Sequence, residues 1–225
     1  MKELSSNQEA RAFTLVELLL LIAVLAIVAL MLLPAIERSR PPLPARRAPC
    51  LDHLHRIGIA FCMFAGDHGG LFPPQCSITN DGSMECIGSN SAASHLSPLL
   101  PYLGKELHCL VCPADGSRKP ALRYTNFGDS NLSYFCSIDA APAVGSAVLA
   151  GDRNLESSGR PVKSGLFVLT TNAAVGWTGE MHSKREAGRR GGCILFADHH
   201  VEYVHDNLSA VIQRQGIATN RLAIP

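Results

Sequence analysis

The sequence predicts an α+β chain: an apolar N-terminal transmembrane helix, a second helix, and a globular domain built on an antiparallel β-sheet. Three observations predict it. Residues 13–33 are almost wholly apolar, residues 50–67 repeat apolar side chains near helical spacing, and from residue 132 onward short β-like runs follow one another with turn residues between them. Consecutive strands joined by turns pair antiparallel, which places the class at α+β.

The first helix is read from "AFTLVELLLLIAVLAIVALMLLP". Phe13 to Leu33 is 21 residues, roughly 31 Å at helical rise, the thickness of a bilayer's hydrocarbon core. Glu17 is the one charge in that run, and a carboxylate in lipid costs on the order of 2.5–3.5 kcal/mol at mid-membrane and less near an end. A cation at the same depth would offset that cost. An α-amino group made by cutting the chain before Phe13 is such a cation.

These residues resemble the N-terminal signal of type IV pilins and type II secretion pseudopilins, in which a short leader and a small residue precede Phe-Thr-Leu-x-Glu and an apolar helix. The resemblance implies cleavage by a prepilin peptidase between Ala12 and Phe13, and methylation of the new Phe13 terminus. It implies that Glu17 pairs with an N-terminal amine during filament assembly and that the helix bends at Pro34. Ala12 stands where glycine is commonest. The partners implied are the prepilin peptidase, other pilin-like subunits and the inner membrane, with the C-terminal domain periplasmic or extracellular. Two other readings of the run stand beside this one. An ordinary signal peptide carries its charge ahead of the apolar core and a small-x-small cut after it, which does not fit a core opened by Phe-Thr-Leu-Val-Glu. A plain single-pass anchor, unprocessed and unassembled, fits the hydropathy equally well.

The chain divides into a leader (1–12), the apolar helix (13–33), a Pro-rich linker (34–49) and a domain (50–225). Pro41, Pro42, Pro44 and Pro49 fix φ and remove donors, so the linker is expected to be extended. Arg38, Arg40, Arg46 and Arg47 follow the apolar run with Glu37 alone against them, a bias that by itself favours a cytoplasmic domain and runs against the orientation the pilin-like signal implies. The formal net charge of +1 and the lack of a basic stripe argue against nucleic acid as a partner.

In the domain, "CLDHLHRIGIAFCMFAGD" reads as a helix from Cys50 to Asp67 ended by Gly69-Gly70. With "HGGLFPPQCSITNDGSME" it resembles a bacterial branch of G-like pseudopilins, through Cys50, Leu54, Ile57, Gly58, Asp67, His68, Gly69, Phe72 and Pro73. A short helix is expected near Ala92–Leu103, then strands in "LSYFCSID", "SAVLAGDR", "GLFVLTT", "GCILFAD" and "HVEYVH". The last two flank a turn at Asp198-His199, and "GCILFADHHVEYV" is similar to the C-terminal pattern of related pilin-like proteins. There Asp198 matches the Asp of an Asp-Gly turn, His199 stands in place of Gly, and Gly188 in place of an upstream His.

Eight cysteines admit two chemistries. Cys109-Leu-Val-Cys112 has the spacing of half a zinc ribbon, but no second pair follows at ribbon distance. In an exported domain disulfides are expected instead, with Cys76–Cys86 and Cys109–Cys112 the local candidates. His199 and His200 are adjacent and so point to opposite faces of a strand; His53 and His55 do not face each other on a helix. No metal and no cofactor are therefore expected. Gly-x-Ser-x-Gly, P-loop and His-Glu-x-x-His signatures are absent from the sequence, and nothing in the spacing converges Asp67-His68, Asp152 and Asp198-His199. The functional expectation is a non-enzymatic pseudopilin-like subunit of a secretion or pilus-like filament. The alternative is an unassembled anchored protein whose domain binds carbohydrate or another protein.

Overall fold

The computed structural model describes residues 15–38, 47–182 and 190–225. It divides into two compact units, residues 1–42 and 43–225. In the first, helix α1 runs from Leu15 to Arg38, its backbone helical through Pro34. The membrane-crossing helix expected over Phe13–Leu33 is not upheld: among the described residues no helix is long and apolar enough to cross a membrane. The expected single-pass inner-membrane placement falls with it.

The second unit opens with α2, Arg47–Asp67. The expected linker is thus helical at both ends, over Pro34–Arg38 and Arg47–Pro49. A proline in the first turn of a helix removes an N–H that has no intrahelical acceptor, so Pro49 is no obstacle there. Helix α2 ends where Gly69 and Gly70 take φ of +64° and +79°, and the Gly70 N–H donates back to the Ala65 carbonyl at 2.8 Å. Cys50, Leu54, Ile57, Phe61 and Phe64 recur every three or four positions and are all fully buried. They form the stripe by which α2 lies on the sheet.

That sheet has six strands, all pairs antiparallel: β1 (Tyr134–Ser137), β2 (Val148–Asp152), β5 (Gly165–Thr170), β7 (Gly192–Phe196), β8 (Val201–Val204) and β9 (Thr219–Ile224), in the spatial order β5-β9-β1-β2-β7-β8. A smaller sheet, β4-β3-β6, is made of β3 (Leu155–Ser157), β4 (Arg160–Pro161) and β6 (Val175–Trp177). Alternation along the strands sorts two cores. Tyr134, Cys136, Ala150, Cys193 and Leu195 join the α2 side, where the short helices α3 (Ala92–Leu96) and α4 (Leu100–Leu103) also pack. Phe135, Val148, Ile194, Phe196 and Leu222 face the other way, against Leu155, Val175 and Trp177 of the small sheet and Leu208, Val211 and Ile212 of α5 (Leu208–Gln213). With both faces covered, β1, β2 and β7 are buried at every position.

Trp177 seats the small sheet on the large one. A Cβ at Gly192 would lie 2.5 Å from its indole ring, well inside van der Waals contact. Gly192→Ala is expected to cost about 1–3 kcal/mol of overpacking, seen as a lower urea midpoint with an unchanged m-value.

Candidate functional site

Among the described residues, one group of metal-capable side chains converges: Cys50, Asp152, His182 and Cys193, whose donor atoms all lie within 4.8 Å of one another. The fold assembles it from four separate elements. Cys50 comes from the first turn of α2, Asp152 from the end of β2, and Cys193 from β7. His182 follows β6 in the chain. The β2–β7 register, with Gly151 opposite Ile194, sets Asp152 across from Cys193, and Tyr134 on β1 is the partner of Asp152 on its other side. Three adjacent strands therefore present Tyr134, Asp152 and Cys193 as a row beneath the start of α2.

The contacts are dense and dry. Asp152 is wholly buried, and its Oδ2 accepts the Cys193 backbone N–H at 2.6 Å. The Cys50 Sγ lies 3.4 Å from Asp152 Oδ1 and 3.5 Å from the Tyr134 hydroxyl. His182 Nε2 stands 3.2 Å from Asp152 Oδ2 and 3.4 Å from the Cys112 Sγ. Burial pushes the Cys50 thiol well above its usual value, with Asp152 and Cys193 adding to the rise. Contact with Cys50, then burial, does the same for Cys112. Burial works against the charged form of His182, yet the carboxylate of Asp152 and the thiol of Cys112 outweigh it and raise the imidazole to about 10. The His182 imidazolium is thereby paired with the Asp152 carboxylate.

A nucleophilic dyad needs something different. In a Cys-His-Asp arrangement the acid holds the imidazole nitrogen opposite the one that faces the nucleophile, and the thiol must be reachable and readily ionised. Here Asp152 and Cys112 meet the same nitrogen, the thiols are buried, and their acidity is suppressed.

The residues singled out from sequence fall elsewhere, Cys50, Cys112 and Asp152 excepted. Ala12 and Phe13 lie outside the described residues, as does Gly188. Glu17 is in the first turn of α1 and exposed, and Pro34 is inside the same helix. All eight cysteines are free thiols, so neither Cys76–Cys86 nor Cys109–Cys112 is bridged. Cys109 and Cys112 instead point into the α2 core, Cys76 is buried in the loop after α2, and Cys86 is half-buried. Asp198 and His199 occupy the β7–β8 turn. His199 takes φ +70°, the left-handed conformation glycine would adopt without strain, and the Asp198 carboxylate holds His200 Nδ1 at 2.7 Å. His53 Nδ1 bonds the Val111 carbonyl at 3.1 Å. The histidines weighed from sequence are thus not in the cluster, and His182, which is, was not among them.

Compared with protein-family models, curated proteins and solved structures, the chain matches none. The class of protein rests on its own residues.

Proposed function

We propose that the chain is a pilin-like structural subunit that assembles into a filament through its N-terminal helix. The observation that carries this reading is the surface of α1: every large apolar side chain from Leu15 to Val28 is 46–74 % exposed, around the whole circumference, with Glu17 in the first turn. A helix apolar on all sides is stable only when its surface is covered, and copies of the same helix, bundled along a filament axis, cover it in every direction. The buried sheet domain supports a scaffold role, because its polar cluster is closed to substrates.

In this reading a prepilin peptidase cuts between Ala12 and Phe13, and the Phe13 amine meets the Glu17 carboxylate of a neighbouring copy, setting the axial register of the filament. A charge pair within an apolar bundle is worth making because either partner alone there is costly.

Two measurements test it. Intact mass of the purified chain, with and without co-expressed prepilin peptidase, is expected to show a product beginning at methylated Phe13 only when the enzyme is present. Glu17→Ala is expected to cut the yield of sedimentable filaments at least tenfold while leaving the thermal unfolding of residues 43–225 unchanged. A chain beginning at Met1 in both samples, or filaments formed equally well by Glu17→Ala, would refute the assignment.

A further inference from the structure

We infer that Cys50, Asp152, His182 and Cys193 form a buried tetrahedral site for a zinc ion, with Cys112 packed against its edge as a neutral thiol. The inference is independent of the filament reading and rests on how the donor atoms converge. Zinc holds sulfur at about 2.3 Å and nitrogen or oxygen at about 2.0–2.1 Å, so tetrahedral angles put neighbouring donors roughly 3.3–3.8 Å apart. With Asp152 Oδ2 as the ligand oxygen, His182 Nε2 stands 3.2 Å and Cys50 Sγ 3.7 Å from it. Every pair among the four donors is under 4.8 Å.

Hydrogen bonds alone satisfy this group poorly. His182 Nε2 has one hydrogen at most and faces two partners, Asp152 Oδ2 and Cys112 Sγ. Asp152 is fully buried, and the ion-pair partner it meets among the described residues is the imidazole of His182. A divalent ion among the four donors engages them all at once. Its binding releases the Cys50 and Cys193 thiol protons and the Nε2 proton of His182 to solvent. Two thiolates, one carboxylate and Zn²⁺ then sum to a single negative charge, beside the Tyr134 hydroxyl and the Cys193 N–H, both donors. Sulfur and imidazole donors select zinc over magnesium or calcium, which take oxygen. Four protein ligands with full burial leave no open position, the mark of a structural site. The site would tie the first turn of α2 to β2 and β7.

The test is the zinc content of the full chain purified from zinc-supplemented cells, read by inductively coupled plasma mass spectrometry. One zinc per chain is expected, retained through gel filtration. Cys50→Ser/Cys193→Ser should carry less than about a tenth of that, Asp152→Asn should lose most of it, and Cys112→Ser and Cys62→Ser should keep it. Because cluster variants can fail to fold, a second readout uses the unaltered chain: cobalt(II) added after chelation is expected to give thiolate-to-cobalt charge-transfer absorption and the visible bands of a tetrahedral complex, abolished by zinc. A folded wild-type chain that holds no zinc and gives no such spectrum overturns the site. Zinc lost from Cys112→Ser but kept by Asp152→Asn overturns the ligand assignment.

Discussion

Gly82→Ala is expected to unfold the loop that closes the lower end of α2, lowering stability by more than about 3 kcal/mol, the upper end of typical overpacking costs. The loop runs from Phe72 to Ser89, and its turns are held by main-chain bonds. The Gly82 N–H donates to the Ser77 carbonyl at 2.9 Å, Ser83 N–H to Pro73 at 2.8 Å, and Met84 N–H to Cys76 at 2.8 Å. A Cβ on Gly82 would sit 2.1 Å from the Cys76 carbonyl oxygen and 2.4 Å from its carbon. No rotamer relieves a clash with backbone, so the loop must part, and three linked devices part with it. Glu85 loses its hold on the Ser77 hydroxyl and the Ile78 N–H, at 2.5 and 2.8 Å. Ser83 leaves His95, a buried pair at 2.9 Å, and Phe72 leaves its edge-on contact with Phe61. For a domain of this size the loss corresponds to a drop of at least about 6–12 °C in the midpoint of thermal unfolding. A drop of under about 2 °C, the shift expected for well under 1 kcal/mol, would mean the turn accommodates a side chain after all.

Arg153→Leu is expected to be similarly damaging, at about 3–5 kcal/mol, because it strands a buried acid. The Asp115 carboxylate has 2 % of its side-chain surface exposed. Arg153 Nε and Nη2 reach its two oxygens at 2.8 and 3.2 Å, Ser117 donates through Oγ and N–H, and Ser133 Oγ donates at 2.9 Å. Burial pushes this carboxyl up, but the Arg153 and Ser117 bonds prevail and hold it down at about 2. Arg118 also lies near, and Glu180 stands 3.8 Å from the far side of Arg153. The folded value lies below the roughly 3.9 of an unfolded aspartate. Its stabilisation is therefore complete above about pH 4 and lost as pH falls through about 2, a contribution of about 2.5 kcal/mol. The Arg153→Leu variant should show a flatter loss of stability over that acid range as well as a lower midpoint at neutral pH. Parallel acid profiles for the two chains would place the effect elsewhere.

The parts legible in the sequence were those with a local period. The α2 stripe repeats every three or four residues, and the apolar runs of β1, β2, β5, β7 and β8 are each bounded by turn residues, so pattern alone located them. Strands β3, β4 and β6 are two or three residues long, shorter than any period can reveal. Strand β9 carries Asn220 and Arg221 among its apolar residues, which disguises it. Asn220 is tolerated in the core because Ser137 donates to its Oδ1 at 2.5 Å while its amide donates to the Val148 carbonyl at 2.9 Å, and Arg221 reaches out to Asp139.

The cluster was illegible for a related reason. Cysteine arithmetic looks for neighbours, and it paired Cys76 with Cys86 and Cys109 with Cys112. Cys50, Asp152, His182 and Cys193 are joined by the antiparallel register of β2 and β7 and by the placement of α2 over them, neither of which leaves a spacing rule. Cys112, half of the one suggestive motif, lies beside the cluster, and its motif partner Cys109 is buried in the α2 core outside it.

Strand β9 has a consequence for how the domain is made. It follows the other eight described strands along the chain, yet it lies between β5 and β1, paired along both of its edges. During synthesis the ribosome releases β1 and β5 long before the strand that joins them, leaving each with an open hydrogen-bonding edge while β9 is still in the exit tunnel. Until it emerges, those edges are free to pair wrongly. Translational pausing ahead of residue 219 would lengthen that exposure, so the yield of folded protein should respond to the speed at which the last strand is delivered.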